Sequence, residues 1–300
     1  MKALIVGGSG FVGSNLARFL VDRGFDVSIL ARNPDKGLPV PSSVSKIAAD
    51  SMKTGPWQAE ITNFEVIINL AGVTVFHRWD ESYKSLLRDS RILTTRNVVD
   101  SIPSNHTKKI TLINASGAGF YGLTQDQELD ETASSGSDYL AKLAFDWEDA
   151  AKKAEEKGVR VVRIRIGIVL GQDGGALHQM TLPFKFFIGG KIGDGKQWIS
   201  WIHINDICRA THFVIEKSEI NGPINFTAPN PVRNVELSKA ISKIMKRPAL
   251  VSAPSFMIRM ILGEFSAYVL KGQRVIPKAL LDNGFTFDFP TIEQALENLL

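Results

Sequence analysis

Three hundred residues, 44% hydrophobic and 22% charged, have the balance of a soluble globular chain and exclude disorder, collagen-like repeats and a coiled coil. Thirty-five Lys and Arg against 31 Asp and Glu leave a net charge of +4, weak grounds for a nucleic-acid partner at this length. One cysteine, Cys208, makes no internal disulfide, and Arg259 and Glu264 interrupt the best apolar run, so a cytoplasmic protein without a signal peptide or membrane span, and with neither a membrane nor a nucleic acid as partner, is expected.

In chain order, residues 3–6 read as a strand and 11–23 as a helix with Val12, Leu16, Phe19 and Leu20 on one stripe, stopped at Gly24. Between them lies Gly7-Gly8-Ser9-Gly10-Phe11-Val12-Gly13. Glycine at 7 permits a tight turn, at 10 lets backbone approach a pyrophosphate, and at 13 lets the helix pack on its strand. The helix N-terminus itself favours an anion. Strands follow over 27–30, 44–48 and 65–70. The second ends in Ile29-Leu30-Ala31-Arg32-Asn33, without the carboxylate that an NAD-type fold offers to the ribose hydroxyls. Arg32 can instead form a fork with a 2′-phosphate, with Ser9 adding a hydroxyl, which selects NADP(H) over NAD(H). Its other reading is a solvated arginine at a strand end.

A polar helix over 80–100 and a fifth strand over 109–114 come next. A loop rich in Gly, Ser and Asp, 116–137, opens into a helix running to Lys157 and closed by Gly158. Residues 159–170 read as a sixth strand. The following thirty residues hold seven glycines and little regular pattern, a kind of segment that usually carries function. One more strand spans 224–227, and helices and short loops lead to a capping box at Thr291-Ile292-Glu293-Gln294. Apolar runs such as Val66-Ile67-Ile68 suit strands covered on both faces. The expected fold is α/β, a doubly wound parallel sheet of Rossmann type with a smaller, mostly helical C-terminal cap. Residues 1–170 with 203–228 form the Rossmann part, and 171–202 with 229–300 the cap.

Three further motifs join the glycine loop. They are Asn69-Leu70-Ala71-Gly72, Ser116-Gly117-Ala118-Gly119-Phe120-Tyr121-Gly122, and Gly193-Asp194-Gly195-Lys196-Gln197 leading to Trp201-Ile202-His203-Ile204-Asn205-Asp206. Together they resemble the extended, epimerase/dehydratase-like branch of the short-chain dehydrogenase/reductase superfamily. More narrowly, the chain is similar to a group of nucleotide-sugar epimerases of unassigned substrate. That group carries Arg-Trp (Arg78-Trp79) and a small C-terminal domain with Gly-Gln-Arg-Val-Ile-Pro (272–277) and Gly-Phe-x-Phe (284–287). The resemblance implies a nicotinamide cofactor across the strand ends, with the Leu70-Ala71-Gly72 turn beneath its adenosine-side ribose and pyrophosphate. It places Asp50 at the adenine, Arg91 at a polar cofactor contact or in a surface salt bridge, and Ile166-Gly167-Ile168 along the nicotinamide ring. It also implies a monomer or homodimer acting on a small-molecule substrate. Arg78, Trp79, Trp201, His203 and Arg274 are the substrate candidates, although His203 and Arg274 also have structural readings.

The family pattern then fails at one place. Relatives pair a tyrosine with a lysine four residues later, the lysine lowering the phenol pKa for proton exchange. Here Tyr139 and Lys142 are three apart, and anchoring on Trp147-Glu148 puts Leu140 and Ala144 at those positions. Ser116 stands one place from the usual hydroxyl, whose position is Gly117. Tyr139 and Lys142 still share a helical face. A shifted dyad with Ser116 and Tyr121 is one expectation; a surface pair with a core Tyr121 is the other. No spacing among the five histidines and Cys208 suits a metal. Two functions follow: an NADP(H)-dependent oxidoreductase or epimerase, or a catalytically silent NADP(H)-binding redox sensor.

Overall fold

The computed structural model describes residues 1–300. Seven strands make one parallel sheet: β1 (Lys2–Val6), β2 (Asp26–Ala31), β3 (Ser45–Ala48), β4 (Val66–Asn69), β5 (Thr111–Gly117), β6 (Arg160–Ile166) and β7 (Gly222–Phe226). Their order across the sheet is β7-β6-β5-β4-β1-β2-β3. The order reverses between β1 and β4, so the chain leaves their ends in opposite directions. Open α/β sheets bind ligands at the carboxyl edge of such a reversal.

Four helices cover the faces: α1 (Phe11–Val21), α2 (Glu81–Ser101), α3 (Tyr139–Lys152) and α4 (Ile204–Glu216). In β1, Ala3 and Ile5 face α1 and α4, while Leu4 and Val6 face α2 and α3, as period-2 alternation requires. All four are fully buried, and each Leu, Ile or Val contributes about 1.5–3 kcal/mol. Asp80 caps α2 by accepting from the Tyr83 amide at 2.7 Å, and Asp138 caps α3 by accepting from Ala141 at 3.2 Å.

The expected sixth strand divides at Gly167. Residues up to Ile166 stay in the main sheet, and Ile168–Leu170 instead pairs with Trp201–His203 in a two-stranded ribbon. The Gly167 amide donates to Phe226 O at 3.0 Å, and a Cβ there would lie 2.6 Å from Ser200 O. Only a glycine lets the chain turn between the two partners.

The cap has its own core, with Trp201, Phe184, Leu237 and Leu296 among its members. It is not cut cleanly from the sheet, because Leu280 and Phe285 pack into the main Rossmann core. A seam of Trp79, Leu87, Leu143 and Phe265 joins α2 and α3 to the cap. No helix is long and apolar enough to cross a membrane.

Candidate functional site

Four glycines crowd the turn after β1, and three are there for packing. Gly7 has φ +80°, and a Cβ on it would stand 3.0 Å from Ala71, so the turns after β1 and β4 touch backbone to backbone. A Cβ on Gly13 would lie 2.6 Å from Gly7 O, and one on Gly8 would collide with Ile29. Gly10 is different. It is exposed, and its Cβ would meet nothing but Gly7 O, at 3.3 Å. Gly10 is also the N-cap of α1 and supplies no side chain to the helix end. The amides of Phe11, Val12 and Gly13 find no acceptor in the chain. Unpartnered amides at the positive end of a helix, beside a space a Cβ would fill, fit a pyrophosphate.

The flanks shape this cradle. The Phe11 ring packs away from it, against Gly171, Gly174 and Gly175, where added Cβ atoms would come within 2.5–2.9 Å of ring carbons. Three of the seven glycines in the irregular segment are thereby explained. Val12 packs against the main core. The turn through Gly37 closes on the Ser9 backbone. Arg32, just past β2, is exposed and makes no hydrogen bond or ion pair within the chain. Asp50, half-buried after β3, accepts from the Met52 amide at 3.2 Å. Leu70 and Ala71 are half-buried and Gly72 is exposed.

Arg91 on α2 lies directly under that turn; a Cβ on Gly72 would be 3.1 Å from its guanidinium carbon. Its donors reach Leu87 O at 3.0 Å and Val73 O at 2.9 Å, and the group lies over the Trp147 ring at 5.1 Å. No carboxylate pairs with it, which corrects the salt-bridge reading. Burial pulls its pKa down to about 10. A desolvated cation without a counter-ion is costly, and an anion at Gly72 would offset that cost.

Around β5 to β7 the polar side chains that face α3 are linked to one another, while Arg163 Nε on β6 is buried without a partner. Ser116 Oγ donates to Glu148 at 2.8 Å, and Glu148 holds Arg165 through two contacts of 2.8 and 3.0 Å. Arg165 donates to the Tyr121 oxygen at 2.9 Å, and Tyr121 donates to Asn225 at 2.7 Å. Glu131 accepts from the Asn225 and Ala279 amides. Tyr121 is only 1% exposed, and burial pushes its pKa up to about 12. It packs as a core residue.

The shifted dyad does not assemble. The Tyr139 hydroxyl donates to Lys84 O at 2.8 Å and its ring packs on Trp79, whereas Lys142 points to solvent without a partner. At the alternative positions, Leu140 lies against Gly119 and Ala144 is buried beside Phe120 and Tyr121. Cys208, the lone thiol, is buried, and burial pushes its pKa up to about 12.

Three substrate candidates are buried and partnered inside the chain. Trp201 is fully buried and donates to Asn230 O. His203 caps α4 by accepting from the Asn205 amide and stacks on Phe289 at 3.8 Å; burial lowers its pKa. Trp79 is buried in the cap seam and donates to Val75 O. Arg78 and Arg274 stay partly accessible and brace the cap. Arg78 donates to Met260 O at 3.2 Å, and Arg274 pairs with Glu128 at 3.0 Å. Gly167, expected along the nicotinamide, is filled on its Cβ side by Ser200 and Thr227. The Glu148–Arg165 pair went unforeseen; an arginine inside the apolar strand Val161-Val162-Arg163-Ile164-Arg165 was its one signal.

Residues 3–226 match the NAD dependent epimerase/dehydratase family, and residues 253–299 match a domain of unknown function, DUF1731. An epimerase family protein of Staphylococcus haemolyticus is 40% identical over 298 residues, covering 99% of this chain and 98% of that one. The Bacillus subtilis epimerase family protein YfhF is 38% identical over 305 residues, covering 100% and 98%. Among solved structures, the human epimerase family protein SDR39U1 with NADPH superposes with a TM-score of 0.86 at 28% identity, covering 100% of this chain and 99% of that one.

Proposed function

The chain belongs to the NAD dependent epimerase/dehydratase family, and from that premise we propose that it binds NADP(H) and serves hydride transfer on a small polar substrate under the cap. The observation that carries this reading is the exposed Gly10 with three unpartnered amides behind it, combined with an unpaired Arg32 where an acid would select NAD. The amides of Phe11, Val12 and Gly13 hold the pyrophosphate, and Arg91 adds charge from beneath Gly72. Arg32 and Ser9 take the 2′-phosphate, Asp50 stands beside the adenine, and Leu70 and Ala71 underlie the ribose. The nicotinamide, when bound, accepts or delivers a hydride. The human relative SDR39U1, solved with NADPH, supports the phosphate-bearing cofactor.

A second reading, a redox sensor without turnover, is favoured by the commitment of Ser116, Tyr121 and Tyr139 to partners inside the protein. Titrating NADPH and NADH tests the shared premise, and equal affinities overturn it. Following NADPH absorbance across a library of small polar and phosphate-bearing substrates separates the two readings. Turnover supports the oxidoreductase or epimerase. Tight binding without turnover on any compound supports the sensor.

A further inference from the structure

One face of the cap combines unpaired positive charge with exposed apolar side chains. Residues 177–193 and 237–262 contain seven Lys and Arg and no Asp or Glu, although the whole chain is nearly balanced at 35 against 31. None of the seven joins an ion pair. The same segments leave Phe186, Phe187, Ile188, Leu250, Phe256 and Met260 between 57% and 89% exposed.

The two segments run side by side. The Val251 amide donates to Gly189 O at 3.2 Å and the Ala253 amide to Lys191 O at 2.9 Å. The Arg247 guanidinium lies over the Phe187 ring at 4.4 Å. Phe187 is held at φ +62°, a conformation that an aromatic residue adopts only under constraint. The helix Ser255–Leu262 that continues this face buries none of its residues. Phe256 and Met260 stand four apart on one side of it. Its inner side packs through half-buried residues such as Leu262, and the apolar side chains left on its outer side mark a contact.

Charge decides what the contact is. A second copy meeting this face across a two-fold axis would bring unpaired cations against unpaired cations. A nucleic acid would take the cations and leave Phe, Ile and Met in water. An anionic bilayer accepts both, with basic side chains at the headgroups and apolar ones at the acyl boundary. We propose that this face of the cap docks peripherally on an anionic lipid surface. Composition excluded a membrane span, and surface docking requires none.

Flotation of the full chain with vesicles of phosphatidylcholine, alone or mixed with phosphatidylglycerol, tests the proposal. Retention is expected on the mixed vesicles only, weakening as salt is raised. Arg247→Gln combined with Arg259→Gln should weaken retention about 30-fold. Phe256→Ser with Met260→Ser should also release the protein, while the circular-dichroism melt of each variant stays unchanged. No retention on either vesicle overturns the proposal. So does a dimer, seen by light scattering, that Phe256→Ser dissolves, or duplex DNA binding that survives Phe256→Ser.

Discussion

The turn after β1 and the turn after β5 stand on the same edge of one sheet and treat their polar groups in opposite ways. After β1, three amides at a helix end have no acceptor and Arg32 has no carboxylate, and under the adjoining turn after β4 the half-buried Arg91 has no counter-ion. After β5, Ser116, Tyr121, Glu148, Arg165 and Asn225 are linked donor to acceptor. Polar groups shut off from water are expensive to leave unpaired, so a desolvated cation such as Arg91 persists without a counter-ion where something outside the chain completes it. Paired ones hold the chain itself together. The contrast fits the proposed ligand site at the first turn and a structural network at the second.

The largest expected effect tests the structural side. Glu148→Gln removes the charge facing Arg165, whose side chain is only 4% exposed, and should cost about 3–5 kcal/mol in urea unfolding. Replacing both partners, Glu148→Leu with Arg165→Met, should recover most of the loss. A single variant of near wild-type stability would show that the network does not hold the fold.

Gly10→Val tests the ligand side. Its Cβ meets only Gly7 O, at 3.3 Å, so stability should fall by no more than about 1 kcal/mol, while NADPH binding weakens about 100-fold or more. Undiminished affinity, measured by calorimetric titration, would erase the difference between the two turns. Arg32→Ala is a finer probe of the same turn. NADPH affinity should drop about tenfold or more, with NADH affinity unchanged.

Tyr139→Phe sharpens the boundary. The phenol is committed to Lys84 O, so the loss should be about 1 kcal/mol of stability with NADPH affinity intact. A large fall in turnover with stability unchanged would move Tyr139 to the ligand side.

The smallest effect is a pH slope. Burial lowers the His203 pKa below its usual 6.5, so the folded state binds fewer protons than the unfolded chain as acid is added. Its contribution is complete above about pH 6.5 and is lost as pH falls toward the lowered folded value. Thermal unfolding of His203→Asn, which can still cap α4, should show a flatter acid slope than wild type. Identical slopes would separate His203 from the pH dependence.

The alternation of β1, the glycine loop, the missing carboxylate after β2 and the irregular Tyr139/Lys142 spacing were legible in the sequence. Each is written within a few neighbouring residues, where periodicity and turn chemistry act. The division of the sixth strand at Gly167 was not legible, because Phe226 and Ser200, which force it, are remote in sequence. Nor was the fate of the candidate side chains. Ser116 finds Glu148 32 residues away, and Tyr121 finds Asn225 104 residues away. Trp201 and His203 looked like cleft residues and became core and cap because residues of the C-terminal segment close over them. Local spacing sets which residues share a face. Whether a polar group there meets a partner or is left open for a ligand depends on long-range packing, which only the tertiary structure decided.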